Sequence, residues 1–202
     1  SEGLLEFRRG IGTFVRGDRI DYDVRSLVSF TDKAQAAGLK PSTKLLAFEK
    51  VRAQSVDPQI VEALQVLAND RLWQIKRVRL ADDKPVILEH RYVVYDKCPK
   101  LTAKQAQGSL YNTWTQRHHL QIAGAQNVIA AVSLTAAQAK LLKGTTHAPA
   151  LQVVATGYLQ DDQPLWWEQT LYRADRYTFQ SRLGPIQIAT PPQGMINNPH
   201  AD

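Results

Sequence analysis

Residues 80–89 read Leu-Ala-Asp-Asp-Lys-Pro-Val-Ile-Leu-Glu, and residues 159–168 read Leu-Gln-Asp-Asp-Gln-Pro-Leu-Trp-Trp-Glu. Five of the ten positions are identical in register, namely the leucine, both aspartates, the proline and the final glutamate. Each copy predicts a strand, a polar turn at the Asp-Asp pair, and a second strand that opens with proline and ends at a carboxylate. An internal repeat of this kind indicates a fold built from two copies of one unit.

The repeated unit extends towards the N-terminal side of each copy. Residues 51–56 resemble residues 129–134, and a helix-like segment follows each of them, at 57–68 and at 135–143. The sequence therefore predicts two strand–helix–hairpin units in a single domain, related by a pseudo-two-fold axis around a shared cleft. The alternative is that Asp-Asp-x-Pro is good turn chemistry that this chain uses twice without duplication.

The composition is that of an ordinary globular protein that favours anionic partners. Of the 202 residues, 44% are hydrophobic and 22% are charged, which is enough for a sizeable core. The formal net charge of +6 favours binding to anions, either nucleic acid or small ligands. No apolar run approaches the ~18 residues of a membrane-spanning helix, and no signal peptide is visible, so no membrane partner is expected. The single cysteine, Cys98, excludes a disulfide framework and fits a cytoplasmic location.

Strands outnumber helices in the pattern, and tight turns join neighbouring strands. The predicted strands are 44–55, 72–81, 85–95, 126–134, 150–160, 164–173 and 175–182. The predicted helices are 26–37, 57–68, 103–119 and 135–143. Asp57 and Pro58 begin the second of these helices well, since aspartate caps a helix and proline suits its first position. The order of elements predicts an α+β fold, an antiparallel sheet with helices on one side.

The two ends of the chain are predicted to lie outside the main domain, which would span residues 26–190. Residues 1–17 have the pattern of a strand, a glycine turn and a second strand, too short to bury a core of their own. Residues 18–25 are polar and are predicted to be a linker. Residues 191–202 are rich in proline, glycine and asparagine, and we expect a loosely ordered tail.

Two arginines on one predicted strand are the first candidates for ligand contact. Alternate residues of a strand share a face, so Arg77 and Arg79 point the same way. Two guanidiniums on an otherwise apolar face are costly unless an anion pairs with them. A three-residue turn would place Arg77 opposite Glu89, whereas a two-residue turn would point Glu89 to the other face. On an exposed face, this would be a surface ion pair worth under about 1 kcal/mol.

The second copy keeps the carboxylate and lacks the arginines. The same three-residue geometry places Thr156 opposite Glu168. It also places Tyr158 opposite Trp166, and it puts Tyr172 on the same face as Glu168. The predicted cleft is thus cationic on one side and aromatic and hydroxyl-bearing on the other. Because arginine binds phosphate or carboxylate bidentately, an anionic small molecule is the expected ligand.

Ser109 begins a helical run that includes Tyr111. A serine at a helix start can cap the helix, and with the free N–H groups there it can also bind an anion, although capping alone is the commoner explanation.

Motifs of enzymes and metal sites are absent from the sequence. There is no HExxH, CxxC, Gly-x-Ser-x-Gly, Walker A or GxGxxG motif. His118 and His119 are adjacent, so their rings diverge and do not chelate one metal ion. We therefore predict no catalytic residue, no metal and no cofactor.

Several short segments together resemble the UTRA effector-binding domain, the sensor half of HutC-type regulators of the GntR family. In chain order they are Ser29-Phe-Thr31, Ala37-Gly-Leu-Lys-Pro-Ser42, Arg77-x-Arg79-x-Ala-Asp82 with Pro85 and Glu89, Ser109-Leu-Tyr111, and Glu168 with Tyr172-Arg-Ala-Asp-Arg-Tyr177. Upstream of them, Arg9-Gly-Ile-Gly-Thr-Phe-Val15 is similar to the last strand of the wing in GntR-type winged helices. The UTRA resemblance covers about residues 24–182.

This resemblance implies a chorismate-lyase-like fold, with two pseudo-symmetric α/β halves around a small-molecule pocket, in a homodimer. It also implies seven effector-binding residues, which are Arg77, Arg79, Glu89, Ser109, Tyr111, Glu168 and Tyr172. Arg77 and Arg79 would grip the anionic group of a sugar phosphate or a carboxylate. Replacing either arginine by alanine is expected to cost effector affinity with the fold intact.

The implied function is ligand sensing and dimerisation in a bacterial transcriptional regulator of the repressor type. Operator DNA would be bound by a winged helix that should precede residue 9, so we expect the chain to be a fragment of a longer regulator. The main alternative is a free-standing chorismate-lyase-like enzyme, whose chemistry the same arginines and carboxylate would serve. The wing-like segment at 9–15 favours the regulator.

Overall fold

The computed structural model describes residues 5–8, 12–15, 20–23 and 29–180. The strands are β1 (Leu5–Arg8), β2 (Gly12–Val15), β3 (Ile20–Asp23), β4 (Pro41–Arg52), β5 (Arg71–Ala81), β6 (Lys84–Val94), β7 (Ile122–Ser133), β8 (Pro149–Leu159), β9 (Pro164–Arg173) and β10 (Tyr177–Gln180). The helices are α1 (Phe30–Ala36), α2 (Pro58–Ala63), α3 (Ala103–Gln107), α4 (Leu110–Asn112) and α5 (Ala136–Leu142). A π-helical turn, Thr113–Arg117, continues α4.

Six strands form one antiparallel sheet in the order β4-β5-β6-β9-β8-β7. One half of the chain supplies β4, α2 and the β5–β6 hairpin, and the other supplies β7, α5 and the β8–β9 hairpin. The two halves are thus the same strand–helix–hairpin unit, and they meet where β6 pairs with β9. The predicted α+β fold of two pseudo-symmetric halves is confirmed.

The first Asp-Asp turn sets which residues of β5 and β6 share a face. Asp82 and Asp83 form a two-residue turn, and both have left-handed φ values, 47° and 60°, as the hairpin turn that fits the twist of the strands requires. The register then shifts by one residue between Arg79 and the turn, which is a β-bulge. The two-residue turn alone would place Arg77 and Glu89 on opposite faces of the sheet, and the extra residue of the bulge returns them to the same face. Arg77 therefore lies opposite Glu89, as predicted from a three-residue turn.

The predicted register of the second hairpin is wrong by one residue at both pairs. Glu168 lies opposite Ala155, and Trp166 lies opposite Gly157. The shift occurs between Gly157 and Tyr158. At Gly157 a Cβ would lie 2.1 Å from the nearest ring carbons of Trp166, so only glycine leaves room for the indole. The packing of Trp166 against Gly157 thus fixes the register of β8 and β9, which the turn sequence alone does not determine.

Helices lie on both faces of the sheet, so the expectation of helices on one side is wrong. On β6, Leu88 belongs to a core cluster with α5, whereas its neighbour Ile87 belongs to a cluster with α1. Tyr92 packs with α2, and its neighbour Val93 packs with α3 and α4. Because neighbouring strand residues point to opposite faces, α2 and α5 share one face and α1, α3 and α4 share the other. We call the second of these the inner face.

Side-chain caps fix the helix starts. Asp57 caps α2 with Pro58 at its first position, as predicted. The predicted helix 103–119 is interrupted, because α3 ends at Gln107 with Gly108 as its C-cap. The side chain of Ser109 then begins α4 by accepting from the backbone N–H of Asn112. The chain therefore turns at this point, and the turn brings α4 over the inner face.

Two small sheets, β1-β2 and β10-β3, lie outside the six-stranded sheet and involve the ends of the chain. β1 and β2 form an antiparallel hairpin, which confirms the two strands predicted within residues 1–17; the glycine turn between them lies outside the described residues. β3, at residues 20–23 inside the predicted linker, pairs in parallel with β10. The predicted tail 191–202 lies outside the described residues.

Alanine at Gly157 is expected to destabilise the fold, since overpacking a filled site costs about 1–3 kcal/mol. Gly124 of β7 is the matched control, because a Cβ there would meet no neighbouring heavy atom of the described residues within 4 Å. Urea unfolding should show a lower free energy of unfolding for Gly157→Ala and no loss for Gly124→Ala. An unchanged value for Gly157→Ala would contradict the register of β8 and β9.

Candidate functional site

A cavity of about 80 Å³ lies on the inner face of the sheet. All seven residues predicted from the sequence line it, namely Arg77, Arg79, Glu89, Ser109, Tyr111, Glu168 and Tyr172. Strands β5, β6 and β9 supply five of them, and the segment around the start of α4 supplies the other two. The structure therefore brings together residues that lie up to 95 positions apart in the sequence.

Arg77 joins the sheet to the helices above it. Its side chain is 3% exposed, and its Nε donates to a carboxylate oxygen of Glu89 in a buried ion pair. Its Nη1 donates to the backbone carbonyl oxygens of Ala106, at 2.7 Å, and Gly108, at 3.0 Å. Arg77 thus holds the end of α3 against β5 and satisfies carbonyl groups that would otherwise be buried without a donor.

Glu89 is kept charged by the arginines around it. Burial alone would raise the pKa of this carboxyl group, but the charges of Arg77, Arg91 and Arg79 outweigh burial and lower the pKa to about 2. The carboxylate is therefore an acceptor throughout the physiological pH range.

Arg79 is a buried cation without a carboxylate partner among the described residues. Its Nη1 donates to the carbonyl oxygen of Gly108 at 3.2 Å, and its Nη2 donates to Thr31 Oγ1 at 2.7 Å. The guanidinium carbon lies 4.7 Å from the ring centre of Phe30. Burial first, and then the like charge of Arg77, lower its pKa to about 10. The charged form of Arg79 is thus less favourable in the folded chain than in water.

Arg91 also lines the cavity, and the sequence reasoning missed it. Its guanidinium forms an ion pair with Glu168 and lies 3.9 Å from Glu89 Oε1. Burial alone would lower the pKa of Arg91, but Glu168 and Glu89 raise it. A signal was present, since Arg91 follows Glu89 by two positions and therefore shares its face of the strand.

The cavity lining carries three arginines and two glutamates, which leaves a net charge of one positive unit. Two of the arginines, Arg77 and Arg91, are paired with Glu89 and Glu168. Arg79 supplies the excess charge. Such a lining favours an anion at Arg79 and offers carboxylate oxygens to the rest of a ligand.

The remaining predicted residues border the same space. The Ser109 side chain caps α4, which supports the capping explanation of this serine. Tyr111 follows in the first turn of that helix. Tyr172 lies opposite Ile87 on the sheet and packs against the ring of Tyr177, with ring centres 4.8 Å apart.

Three further observations on the described part of the chain concern metal ions, membranes and Cys98. No three His, Cys, Asp or Glu side chains there are placed to hold a metal ion. None of its helices is long and apolar enough to cross a membrane. Cys98 is buried, and burial raises the pKa of its thiol to about 12, so it is not a reactive nucleophile.

The family model described as "UTRA domain" matches residues 36–178. The chain belongs to the UTRA domain family. It is 29% identical over 176 residues to the mannosyl-D-glycerate transport/metabolism system repressor MngR of Escherichia coli (strain K12), a match that covers 87% of this chain and 72% of that protein. It is 28% identical over 186 residues to the HTH-type transcriptional repressor NagR of Bacillus subtilis (strain 168), covering 89% of this chain and 72% of the relative.

A solved structure is similar to this chain in fold. The crystal structure of PhnF from Mycobacterium smegmatis matches with a TM-score of 0.76 at 27% identity, over 90% of this chain and 79% of that one. The predicted UTRA domain of a GntR-type regulator is confirmed. Because the named relatives are transcriptional repressors, this UTRA domain is a ligand-sensing domain of a regulator, and the enzyme alternative is not supported.

The structure changes what we expect from the two arginine substitutions. Arg77→Ala should lower the free energy of unfolding by about 3–5 kcal/mol, because it leaves the buried Glu89 without its closest cation. Arg79→Met should leave stability within about 1 kcal/mol of the parent, since it removes a desolvated charge that repels Arg77. Urea unfolding at pH 7 measures both. Equal losses for the two variants would contradict these separate roles.

Proposed function

We propose that this UTRA domain binds an anionic small molecule in the inner-face cavity and that Arg79 pairs with its anionic group. The observation that carries the proposal is the state of Arg79, a side chain buried to 3% exposure with no carboxylate partner among the described residues. A buried charge is costly unless it is paired. An anion in the cavity offsets that cost, and its binding is favoured for the same reason.

Unused hydrogen-bond donors support the same ligand class. The Nε atoms of Arg79 and Arg91 and the Nε1 atom of Trp114 are buried without an acceptor in the described structure, and all three residues line the cavity. Buried donors are rarely left unpaired in folded proteins. A cavity lined by residues with unused donors favours a ligand rich in oxygen acceptors, such as a phosphate or a carboxylate.

The carboxylates of the cavity favour a ligand that also carries hydroxyl groups. Glu89 and Glu168 are acceptors, and Tyr111 and Tyr172 add aromatic surface. The name of the E. coli relative refers to mannosyl-D-glycerate, which joins a sugar to a carboxylate. We therefore propose a sugar phosphate or a polyhydroxylated carboxylate as the effector.

Effector binding would regulate transcription by shifting the protein between two arrangements. The shift can be no larger than the difference in the effector's affinity for the two states. Operator DNA would be bound by a winged helix joined to this domain in a full-length, cytoplasmic regulator that acts as a repressor. This part of the proposal rests on the similarity to bacterial repressors.

Thermal unfolding against a panel of anions tests the proposal. Inorganic phosphate, glycerol 3-phosphate, glucose 6-phosphate, gluconate and glycerate form the panel, with glucose as the uncharged control. A ligand at one hundred times its dissociation constant should stabilise the domain by about 2.7 kcal/mol.

Arg79→Met should abolish this stabilisation, whereas Lys76→Met should keep it. Lys76 lies on the same strand but points to the other face and is exposed, so it is a matched loss of charge. Stabilisation that survives Arg79→Met would contradict the assignment of the anion site. Stabilisation by glucose and by none of the anions would contradict an anionic effector.

We also propose that the domain forms a homodimer and that the edge strand β7 pairs with the same strand of a second copy. The two edge strands of the sheet differ in the number of charged residues that protect them from pairing with another chain. β4 carries four charged residues, Lys44, Glu49, Lys50 and Arg52, whereas β7, its counterpart in the other half, carries none. Val128 of β7 is 67% exposed. Charges protect an edge strand from pairing, so β7 is open to it, and antiparallel self-pairing gives a two-fold dimer.

Val128→Lys should convert a dimer into a monomer in size-exclusion chromatography with light scattering, because it places a charge on the pairing edge. Leu46→Lys is the control, since Leu46 is an exposed apolar residue of the opposite edge strand. A monomeric parent chain would contradict the dimer. Dissociation by Leu46→Lys alone would place the interface elsewhere.

A further inference from the structure

We propose that Arg91 is a positioning residue of this cavity, which holds the carboxylates of Glu89 and Glu168 together in their charged form and so selects effectors that carry hydroxyl groups beside their anionic group. The inference rests on the proposed function of the cavity. It concerns a residue that acts through its two carboxylate partners.

Arg91 stands at the junction of the two halves. On the central β6–β9 pair it lies directly opposite Glu168. Its guanidinium forms an ion pair with Glu168 and lies 3.9 Å from Glu89 Oε1. One cation therefore links the glutamate that ends the repeated sequence in one half to its counterpart in the other half.

Two aromatic rings flank this link, in which the side chains of Arg91 and Glu168 are 11% and 15% exposed. The guanidinium carbon of Arg91 lies 5.5 Å from the ring centre of Trp114 and 5.8 Å from that of Trp166. The two indoles stack with centres 4.7 Å apart. In such surroundings two neighbouring carboxylates without a cation would repel each other, and one would take up a proton.

The charged and titratable groups around this link come from five elements. They are Arg77 and Arg79 on β5, Glu89 and Arg91 on β6, Glu168 and Tyr172 on β9, Tyr111 on α4 and Tyr177 on β10. Arg77 is engaged by Glu89 and by backbone carbonyls. Arg91 is therefore the cation that neutralises Glu168 within the described structure.

Both carboxylates keep acceptor capacity for a ligand. Glu168 Oε2 accepts from Arg91 and, at 3.1 Å, from Thr170 Oγ1, and Glu168 Oε1 accepts from Trp166 Nε1 at 3.5 Å. An ionised carboxylate has about four acceptor positions, so some stay open. Arg79 lies two rows of side chains further along the sheet, because Arg79 aligns with Ile87 whereas Arg91 lies four residues beyond Ile87. Four residues of strand span about 13 Å. Glu168 is therefore the cavity carboxylate furthest along the sheet from Arg79, and Glu89, which pairs with Arg77 in the row next to Arg79, lies between them.

The first test needs no ligand. Urea unfolding is measured at pH 5.5 and pH 8 for the parent, Arg91→Met, and the double variant Arg91→Met with Glu168→Gln. Methionine keeps the contacts with the two indoles and removes the charge. At pH 8 the unfolding midpoint of Arg91→Met should lie below that of the parent. The gap should narrow at pH 5.5, because an unpaired buried carboxylate has a raised folded-state pKa and its proton uptake restores stability below that value.

The double variant separates the charge from the packing. It should lose the extra pH dependence of Arg91→Met, since it has no Glu168 carboxylate to protonate. A gap between Arg91→Met and the parent that is equal at both pH values would show a packing role alone and would overturn the proposal.

The second test uses sulfate probes, whose charges do not change between pH 5.5 and pH 8; glucose 6-sulfate carries one negative charge and inorganic sulfate carries two. Calorimetric titration compares glucose 6-sulfate with inorganic sulfate. Arg91→Met should weaken glucose 6-sulfate at least tenfold and inorganic sulfate less than twofold, since only the hydroxyl groups reach the carboxylates. Arg91→Lys should recover part of the loss.

The second test separates a failure of the role of Arg91 from a failure of the proposed anionic effector. Equal weakening of both probes by Arg91→Met would overturn the selective role of Arg91. Binding of neither probe to the parent would overturn the anionic effector proposed for the cavity, while the pH series would still decide whether Arg91 holds the carboxylates charged.

Discussion

The buried ion pair of Arg77 and Glu89 is the interaction on which the cavity depends. It joins β5 to β6, and through the carbonyl oxygens of Ala106 and Gly108 it also ties the helical layer to the sheet. Such a pair needs further hydrogen bonds to offset the loss of water, and here Nη1 of the arginine donates to two backbone carbonyl oxygens. The site is therefore built into the fold, because the same residues that line the cavity hold its two walls together.

The internal repeat explains both the six-stranded sheet and the uneven distribution of charge in its cavity. Duplication supplies a strand–helix–hairpin unit twice, and the order β4-β5-β6-β9-β8-β7 places the two hairpins side by side. Glu89 and Glu168 occupy matching positions in the two copies. The two arginines of β5 occur in the first copy only, so a symmetric frame carries an asymmetric site. That asymmetry would favour one orientation of the proposed effector.

Local sequence patterns predicted the elements, and the resemblance to the UTRA domain implied the full set of candidate residues. Both reached their limit at strand register and at contacts between the halves. The parity of Arg77 and Glu89 depends on a bulge beside the Asp-Asp turn, and the register of the second hairpin depends on Trp166 filling the space above Gly157. Neither is a property of the turn itself. Alternation along β6 places Arg91 on the face of Glu89, but its pairing with Glu168, 77 residues away across the β6–β9 pair, is not revealed by any hairpin pattern.

The most direct test of the anion site is a crystal structure of the domain with selenate, whose anomalous scattering locates the anion without reference to the protein. The account predicts selenate in the inner-face cavity, within hydrogen-bond distance of the Arg79 guanidinium. Selenate bound only elsewhere on the molecule, with the cavity free of it, would contradict the assignment of Arg79 as the group that pairs with the effector.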